Sequence, residues 1–427
     1  MSASAHHETI EVQALRVGMV VHLDGGWMSH PFALSRFKIA SSEQIETIRS
    51  LGLKRVRWDP LRSDPPASEA ETANVPPRTG AQPSAARAEP AEPATLSAHR
   101  RALAQQRDAL ALCERQFEEA ADACQALTQQ VVPRPREACG QAQALSRALV
   151  EKMLGAQEPC IQLLTGAAGH KSVAHALNVT VIALLLARRL GLHESQLQDI
   201  GVGALLHDIG KLELHENLRH HDENFIASEA RAYEEHVAHG VVHARRMGMS
   251  TGAMLVVAQH HEHADGSGFP LRLAGDKMSM PARIVSLVNR FDNLCNPRLA
   301  AKALTPHEAL AMLFAASGGK FDSAVLSAFI KMMGVYPPGS TVQLSDQRYA
   351  LVMAVNSARP LKPRVLVHDA DVPREEALVI DLENQGNLCI RRSVKALQMP
   401  PNALSYLAPA RRVVYFFEPA RELVEPS

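Results

Sequence analysis

The sequence predicts a mainly α-helical protein, with a small α/β unit at its N-terminal end and a β-rich region at its C-terminal end. Three observations carry that expectation. Residues 165–335 are a string of apolar segments with helical periodicity, punctuated by Gly and Pro. Residues 1–60 combine short β-branched runs with one capped helical stretch. After Tyr336-Pro337-Pro338-Gly339 the pattern changes to short strand-like runs.

Composition narrows the classes further. A chain of 427 residues suggests two or three domains. Lys and Arg number 45 and Asp and Glu 45, a balance that argues against coating a nucleic acid polymer or an anionic membrane. Apolar residues at 46% and charged residues at 21% suit a globular protein with a buried core. Unbroken apolar runs are short (Val181–Ala187 has seven residues), against about 20 needed to span a bilayer. The first residues, MSASAHHETIEVQ, lack a basic patch followed by an apolar stretch. Six scattered cysteines without a CxxC pair read as reduced thiols, so a cytoplasmic protein without membrane insertion is expected.

In chain order, Val17–Leu23 and Lys54–Trp58 read as strands, and Ser42–Leu51 as a helix opened by a Ser cap. Residues 61–95 are rich in Pro and Ala with almost no large apolar residues, the composition of a flexible linker. Residues 96–164 read as a helical connector. Leu96–Gln130 has no Gly or Pro, and a second helix resumes near Glu137 after Pro133 and Pro135. Cys113 and Cys124, about three turns apart, share a face that is either buried or turned to a second copy in a homodimer. Helices follow at Val173–Leu190, Gln196–Lys211, Ser228–Met247, Gly252–His263, Pro281–Leu294 and Thr305–Ala315. The region 336–427 then offers strands at Thr341–Leu344, Tyr349–Asn356, Arg364–His368, Ala377–Leu382 and Asn387–Arg391, read as a separate β-rich appendage.

Histidine carries the chemistry. Thirteen of the 20 histidines lie between His170 and His263, a concentration that a metal site or a pH switch would produce. The informative ones are His175, His207 beside Asp208, His236, and the pair His260-His261. Neutral imidazoles with carboxylate oxygen suit a first-row transition metal better than Ca²⁺ or Mg²⁺. Adjacent helix residues project about 100° apart. Asp208 would therefore reach sideways, bridging two ions, and His260 and His261 are not expected to share one ion.

The segments HDIGK (207–211), HVAHG (236–240) and HHEHADGSGFP (260–270) strongly resemble the HD-GYP family. That family is a branch of the HD metal phosphohydrolases that hydrolyse the bacterial second messenger cyclic di-GMP. HALNVTVIALLLARRLGL from His175 resembles the family's first metal-binding helix. ARIVSLVNRFDNL and KFDSAVLSAFI resemble the last parts of its domain, so that the resemblance covers about 165–335. LRVGMVVHLDGGWMSHPFALSRFKI resembles a small domain of unknown function often found before such phosphodiesterases.

The resemblance implies an HD-type phosphohydrolase fold and a set of roles. His175, His207 and Asp208 would hold a first metal, and His236 and His260 a second bridged by Asp208. His261 would be a further ligand in trinuclear members and otherwise a contact to phosphate or to a ligand from behind. Lys171 stands where those members carry a Glu, which favours two divalent ions, Fe or Mn. Asn289 stands where the family has the first metal's last Asp ligand, and Phe269 replaces the signature Tyr. Two such ions would acidify a water and polarise the phosphoryl group. Lys211, Arg298 and Lys302 are the candidate phosphate contacts. Asp265 would orient a histidine from behind, and its loop would meet GGDEF-domain partners. His239 and His243 mimic zinc spacing beside His236 but read as structural.

The leading expectation is a metal-dependent phosphodiesterase turning cyclic di-GMP into the linear dinucleotide pGpG, GMP or both. The alternatives are a catalytically impaired cyclic di-GMP receptor or protein-interaction module, and an HD phosphohydrolase of another nucleotide. Asn289 is the residue that separates the first two.

Overall fold

The computed structural model describes residues 8–23, 36–39, 41–60, 63–64, 94–156, 158–166, 171–220, 225–315 and 318–419. The expected linker falls almost wholly outside these residues. The chain forms two compact units, residues 1–97 and 98–427.

The first unit is a four-stranded antiparallel sheet with one helix. Its strands are β1 (Glu8–Glu11), β2 (Val20–His22), β3 (Arg36–Lys38) and β4 (Arg55–Asp59), in the order β1-β4-β2-β3. Helix α1 (Ser42–Ser50) starts where the Ser41 hydroxyl accepts from Gln44 N at 3.4 Å. Val21, Leu23, Ile39, Ile48 and Val56 form a small closed core. The expected α/β character is present, with two strands, β1 and β3, that short length and mixed polarity had hidden.

The second unit is built on helices. α2 (Ala94–Gln130) and α3 (Pro135–Gly155) lead into a strand, β5 (Pro159–Leu164). Then come α4 (Lys171–Arg189), α5 (Glu194–Leu206), α6 (Ala227–Met247), α7 (Thr251–Gln259), α8 (Met280–Cys295), α9 (Pro306–Ala315) and α10 (Ser323–Met333). Local chemistry sets these ends. Ser250, Ser279 and Asp322 cap α7, α8 and α10, and Pro135 opens α3 at a position where no N–H is needed. α6 stops at Gly248, whose φ of 76° is left-handed. α4 is long and apolar enough to cross a membrane, but 67% of its apolar window is buried inside the protein, against α5, α8 and the C-terminal sheet. It is the central core helix.

The C-terminal strands are β6 (Thr341–Leu344), β7 (Tyr349–Asn356), β8 (Arg364–Val367), β9 (Val379–Asp381), β10 (Ile390–Ser393) and β11 (Val414–Pro419), with α11 (Pro401–Leu407) before the last. The sheet runs β10-β6-β7-β5-β11, and β8 and β9 continue from β7. This revises the expected appendage. β5 precedes α4–α10 in sequence yet lies between β7 and β11, and residues 98–427 pack as one unit. β5 was read as part of the helical connector and β11 was not singled out; both are buried almost throughout. The Cys113 and Cys124 face of α2 is buried within the chain, and Phe117 on that face packs edge-on against Phe416 of β11 at 6.1 Å.

Candidate metal centre

Four helices deliver the ligand candidates. His175 sits in the second turn of α4 and His236 in the middle of α6. The expected Gln196–Lys211 helix instead ends at Leu206, so His207 occupies the C-terminal cap of α5; His260 does the same for α7. Helix C-termini carry partial negative charge, and both therefore favour a cation at the imidazoles beyond them. Lys211 lies in a short 3-10 turn, Ile209–Glu213. Gly210 is required there: a Cβ would fall 1.9 Å from the His236 carbonyl oxygen. That contact locks the HDIGK segment onto α6.

Among the described residues two ligand groups overlap at Asp208. The first is His175, His207 and Asp208; the second is Asp208, His236, His260 and His261. Asp208 Oδ2 lies 3.6 Å from His175 Nε2 and 3.4 Å from His207 Nε2. Its Oδ1 lies 3.6 Å from His236 Nε2 and 3.5 Å from His260 Nε2. One carboxylate thus offers an oxygen to each of two histidine pairs.

The tautomers are set from behind. Nδ1–H of His207, His236 and His260 donates to the carbonyl three residues back: Ala204 at 2.7 Å, Tyr233 at 2.5 Å and Val257 at 2.8 Å. His175 Nδ1–H donates to Asp292 Oδ2 at 2.6 Å. Each Nε2 therefore turns a lone pair inward. The paired Nε2 atoms stand 3.1 Å apart for His175 and His207, and 3.3 Å for His236 and His260. Facing lone pairs repel at such distances unless a cation lies between them. Ligands about 2.1 Å from a tetrahedral or octahedral ion stand about 3.0–3.4 Å from one another. Asp208 Oδ1 and His261 Nε2 are also buried without a hydrogen-bond partner, as expected of groups meant for a metal. The donor set fits divalent transition-metal ions.

Electrostatics point the same way. Burial holds His236 down to about 3 and His260 to about 4, and keeps His261 well below its usual value, so all three are neutral near pH 7. Burial opposes the Asp208 charge, but Lys211 and His207 outweigh it and keep the carboxyl well below its usual range. Lys211 Nζ donates to Asp208 Oδ2 at 2.6 Å. Burial would lower the Lys211 pKa, yet the Asp208 carboxylate raises it, so the ammonium stays charged.

His260 and His261 do fall in one group, against the helical argument. α7 ends at Gln259, so the two no longer follow the 100° rotation. Phe269, in place of the expected Tyr, stacks on His261 with centroids 4.4 Å apart. Asp265 is exposed and accepts from Ser267 N at 2.9 Å; it orients none of the clustered histidines. The loop it belongs to is instead fixed by Glu262, a fully buried carboxylate accepting from Leu271 N at 2.6 Å and Leu273 N at 2.9 Å. His243 lies apart from the cluster, with its Nε2 2.9 Å from Glu213 Oε1. Asn289 faces the cavity described next, and its Oδ1 accepts from Asn293 Nδ2 at 2.7 Å. Asp292 stands behind the first ligand group, with one oxygen on His175 Nδ1 and the other on Asn178 and Asn296.

The centre opens into a cavity of about 900 Å³, the size of a site that encloses a small organic ligand. Lys171, Arg219, Arg298, Lys302 and Arg412 line it together with Lys211, and basic side chains outnumber carboxylates in its wall. Tyr233, which sequence reading passed over, supplies both the carbonyl that orients His236 and a ring 5.4 Å from Lys211 Nζ.

Comparison with known families bears on this arrangement. Residues 149–325 match the HD domain, and residues 7–142 match a domain of unknown function, DUF3391. The chain carries an HD domain behind a DUF3391 domain. The DUF3391 match extends past the expected 1–60 boundary, through the long helix α2 and into α3. The HD match contains every metal-ligand candidate and stops before the C-terminal sheet, apart from β5. Cyclic di-GMP phosphodiesterase PA4108 of Pseudomonas aeruginosa is 28% identical over 400 residues, 88% of this chain and 89% of that protein. Cyclic di-GMP phosphodiesterase response regulator RpfG of Xanthomonas campestris is 32% identical over 153 residues, 35% of this chain and 40% of that protein. The 3'3'-cGAMP-specific phosphodiesterase 2 of Vibrio cholerae is 29% identical over 160 residues, 37% of this chain and 31% of that protein. These last two similarities are confined to a part of each chain.

Proposed function

We propose that the chain is a metal-dependent phosphodiesterase that hydrolyses cyclic di-GMP, to pGpG, GMP or both, in bacterial second-messenger signalling. The observation that carries the reading is Asp208, with one oxygen beside each of two histidine pairs whose lone pairs converge. Two divalent ions, Fe or Mn, suit this nitrogen-rich set. When bound, they would supply an activated water and neutralise charge on the phosphodiester.

The remaining work falls to side chains. Asp208 holds its negative charge at neutral pH and bridges the two groups. Lys211, kept cationic beside it, is placed to stabilise charge that develops on a phosphoryl oxygen. Arg298, Lys302 and Lys171 line the cavity and are the candidate partners of the second phosphate of a cyclic dinucleotide. The exposed Asp265–Pro270 loop is the candidate contact for GGDEF-domain proteins, and the connector helices are the candidate homodimer surface. The buried core helix and reduced thiols support a cytoplasmic protein.

The test is turnover by the full chain loaded with Mn²⁺ or Fe²⁺ under anaerobic conditions. Cyclic di-GMP is expected to be cleaved, at a higher kcat/KM than 3'3'-cGAMP. A preference for another cyclic dinucleotide would replace the substrate, and binding without cleavage would favour a receptor. The receptor reading rests on Asn289, whose neutral amide stands where a carboxylate would hold an ion more firmly. Asn289→Asp is accordingly expected to tighten one ion by roughly tenfold or more, read by metal titration; an unchanged affinity would remove Asn289 from the ligand set.

A further inference from the structure

Asp292 is 2% exposed, a carboxyl group on a core helix face that does not ordinarily bury one. Its Oδ2 accepts from His175 Nδ1, and its Oδ1 accepts from Asn178 Nδ2 at 2.7 Å and Asn296 Nδ2 at 2.9 Å. Both asparagines are in turn held by the backbone entering β11. Asn178 Nδ2 donates to Val413 O at 2.9 Å, while its Oδ1 accepts from Tyr415 N at 2.8 Å. Asn296 Nδ2 also donates to Val413 O at 2.9 Å, and its Oδ1 accepts from Val413 N at 2.9 Å. Strand, amides, carboxylate and imidazole form one continuous relay, satisfied at each of these atoms. Residues 413–415 lie beyond both family matches.

We propose that Asn178 and Asn296, held by the Val413–Tyr415 backbone, are positioning residues of the metal centre: they fix Asp292, which fixes the ring and tautomer of His175. A carboxylate behind a ligand imidazole raises its basicity and sets its orientation, and loss of such support typically costs 10–100-fold in metal affinity. The inference rests on the two-ion reading of the site. A network that served only to fasten β11 to α4 and α8 would affect both ions alike, through stability. One that positions His175 affects a single ion.

Mn²⁺ titration of the full chain, followed by electron paramagnetic resonance, separates these cases. Asn178→Ala and Asn296→Ala are each expected to weaken one ion about 10–100-fold and leave the other unchanged. Thr341→Val, which removes a buried hydroxyl bonded to the Val394 carbonyl elsewhere in the same sheet, is expected to leave both unchanged. Wild-type affinity for both ions in the asparagine variants overturns the proposal. So does equal weakening of both ions in step with a fall in Tm. If buried Asn178→Ala does not fold, Asn296→Ala, at a half-buried position, decides alone. Failure of the wild-type chain to bind two Mn²⁺ ions would instead remove the two-ion reading itself.

Discussion

Asp208→Ala is expected to strip both ions and bring phosphodiester hydrolysis to background, with helical content unchanged. The geometry makes the effect double. The substitution removes the one oxygen near His175 and His207 and the one near His236 and His260. It also leaves the Lys211 ammonium, buried against that carboxylate, without its partner. Repulsion between cations replaces attraction in a site that had been arranged to gather them. Metal analysis of the purified variant and its far-ultraviolet circular dichroism check the two halves of the expectation. Full activity, or full metal content, would sink the bridging role.

Lys211→Ala is the second large effect, and it runs in the opposite direction for the metal. Without the ammonium 2.6 Å from Oδ2, Asp208 faces an incoming ion with less competition, so metal content should equal or exceed that of the wild-type chain. Turnover should nevertheless fall by about 10²–10³, the usual loss for one preorganised charge donor, with the larger change in kcat. A variant that loses metal, or keeps full kcat, would show that Lys211 serves the fold or the ligand set and not the transition state.

The candidate ligands were legible because the chemistry compresses them into short segments: His207 with Asp208, His236, and His260 with His261. Their grouping was less legible. The reading that His260 and His261 diverge assumed an uninterrupted helix, whereas the backbone leaves α7 at Gln259 and brings both rings into one group of candidate ligands. The support behind His175 comes from three segments, Asn178 one turn along α4, Asp292 and Asn296 at the end of α8, and Val413 before β11, which meet only through folding. Burial did not decide which strands could be read: the expected Tyr349–Asn356 is buried throughout its interior, as are β5 and β11, which were missed.

The pairing of β5 with β11 also sets a schedule for biosynthesis. Cys160 lies opposite Glu418, so the ribosome releases β5 and the whole helical array before the strand that completes the sheet exists. Until residues 414–419 emerge, β5 is an open edge able to pair with other chains. Its closure is a long-range contact of the slow kind. A nascent or truncated chain therefore lacks both the sheet's border and the backbone that seats Asn178 and Asn296. Fragments ending at the HD domain are expected to be adhesive as well as poorly metallated.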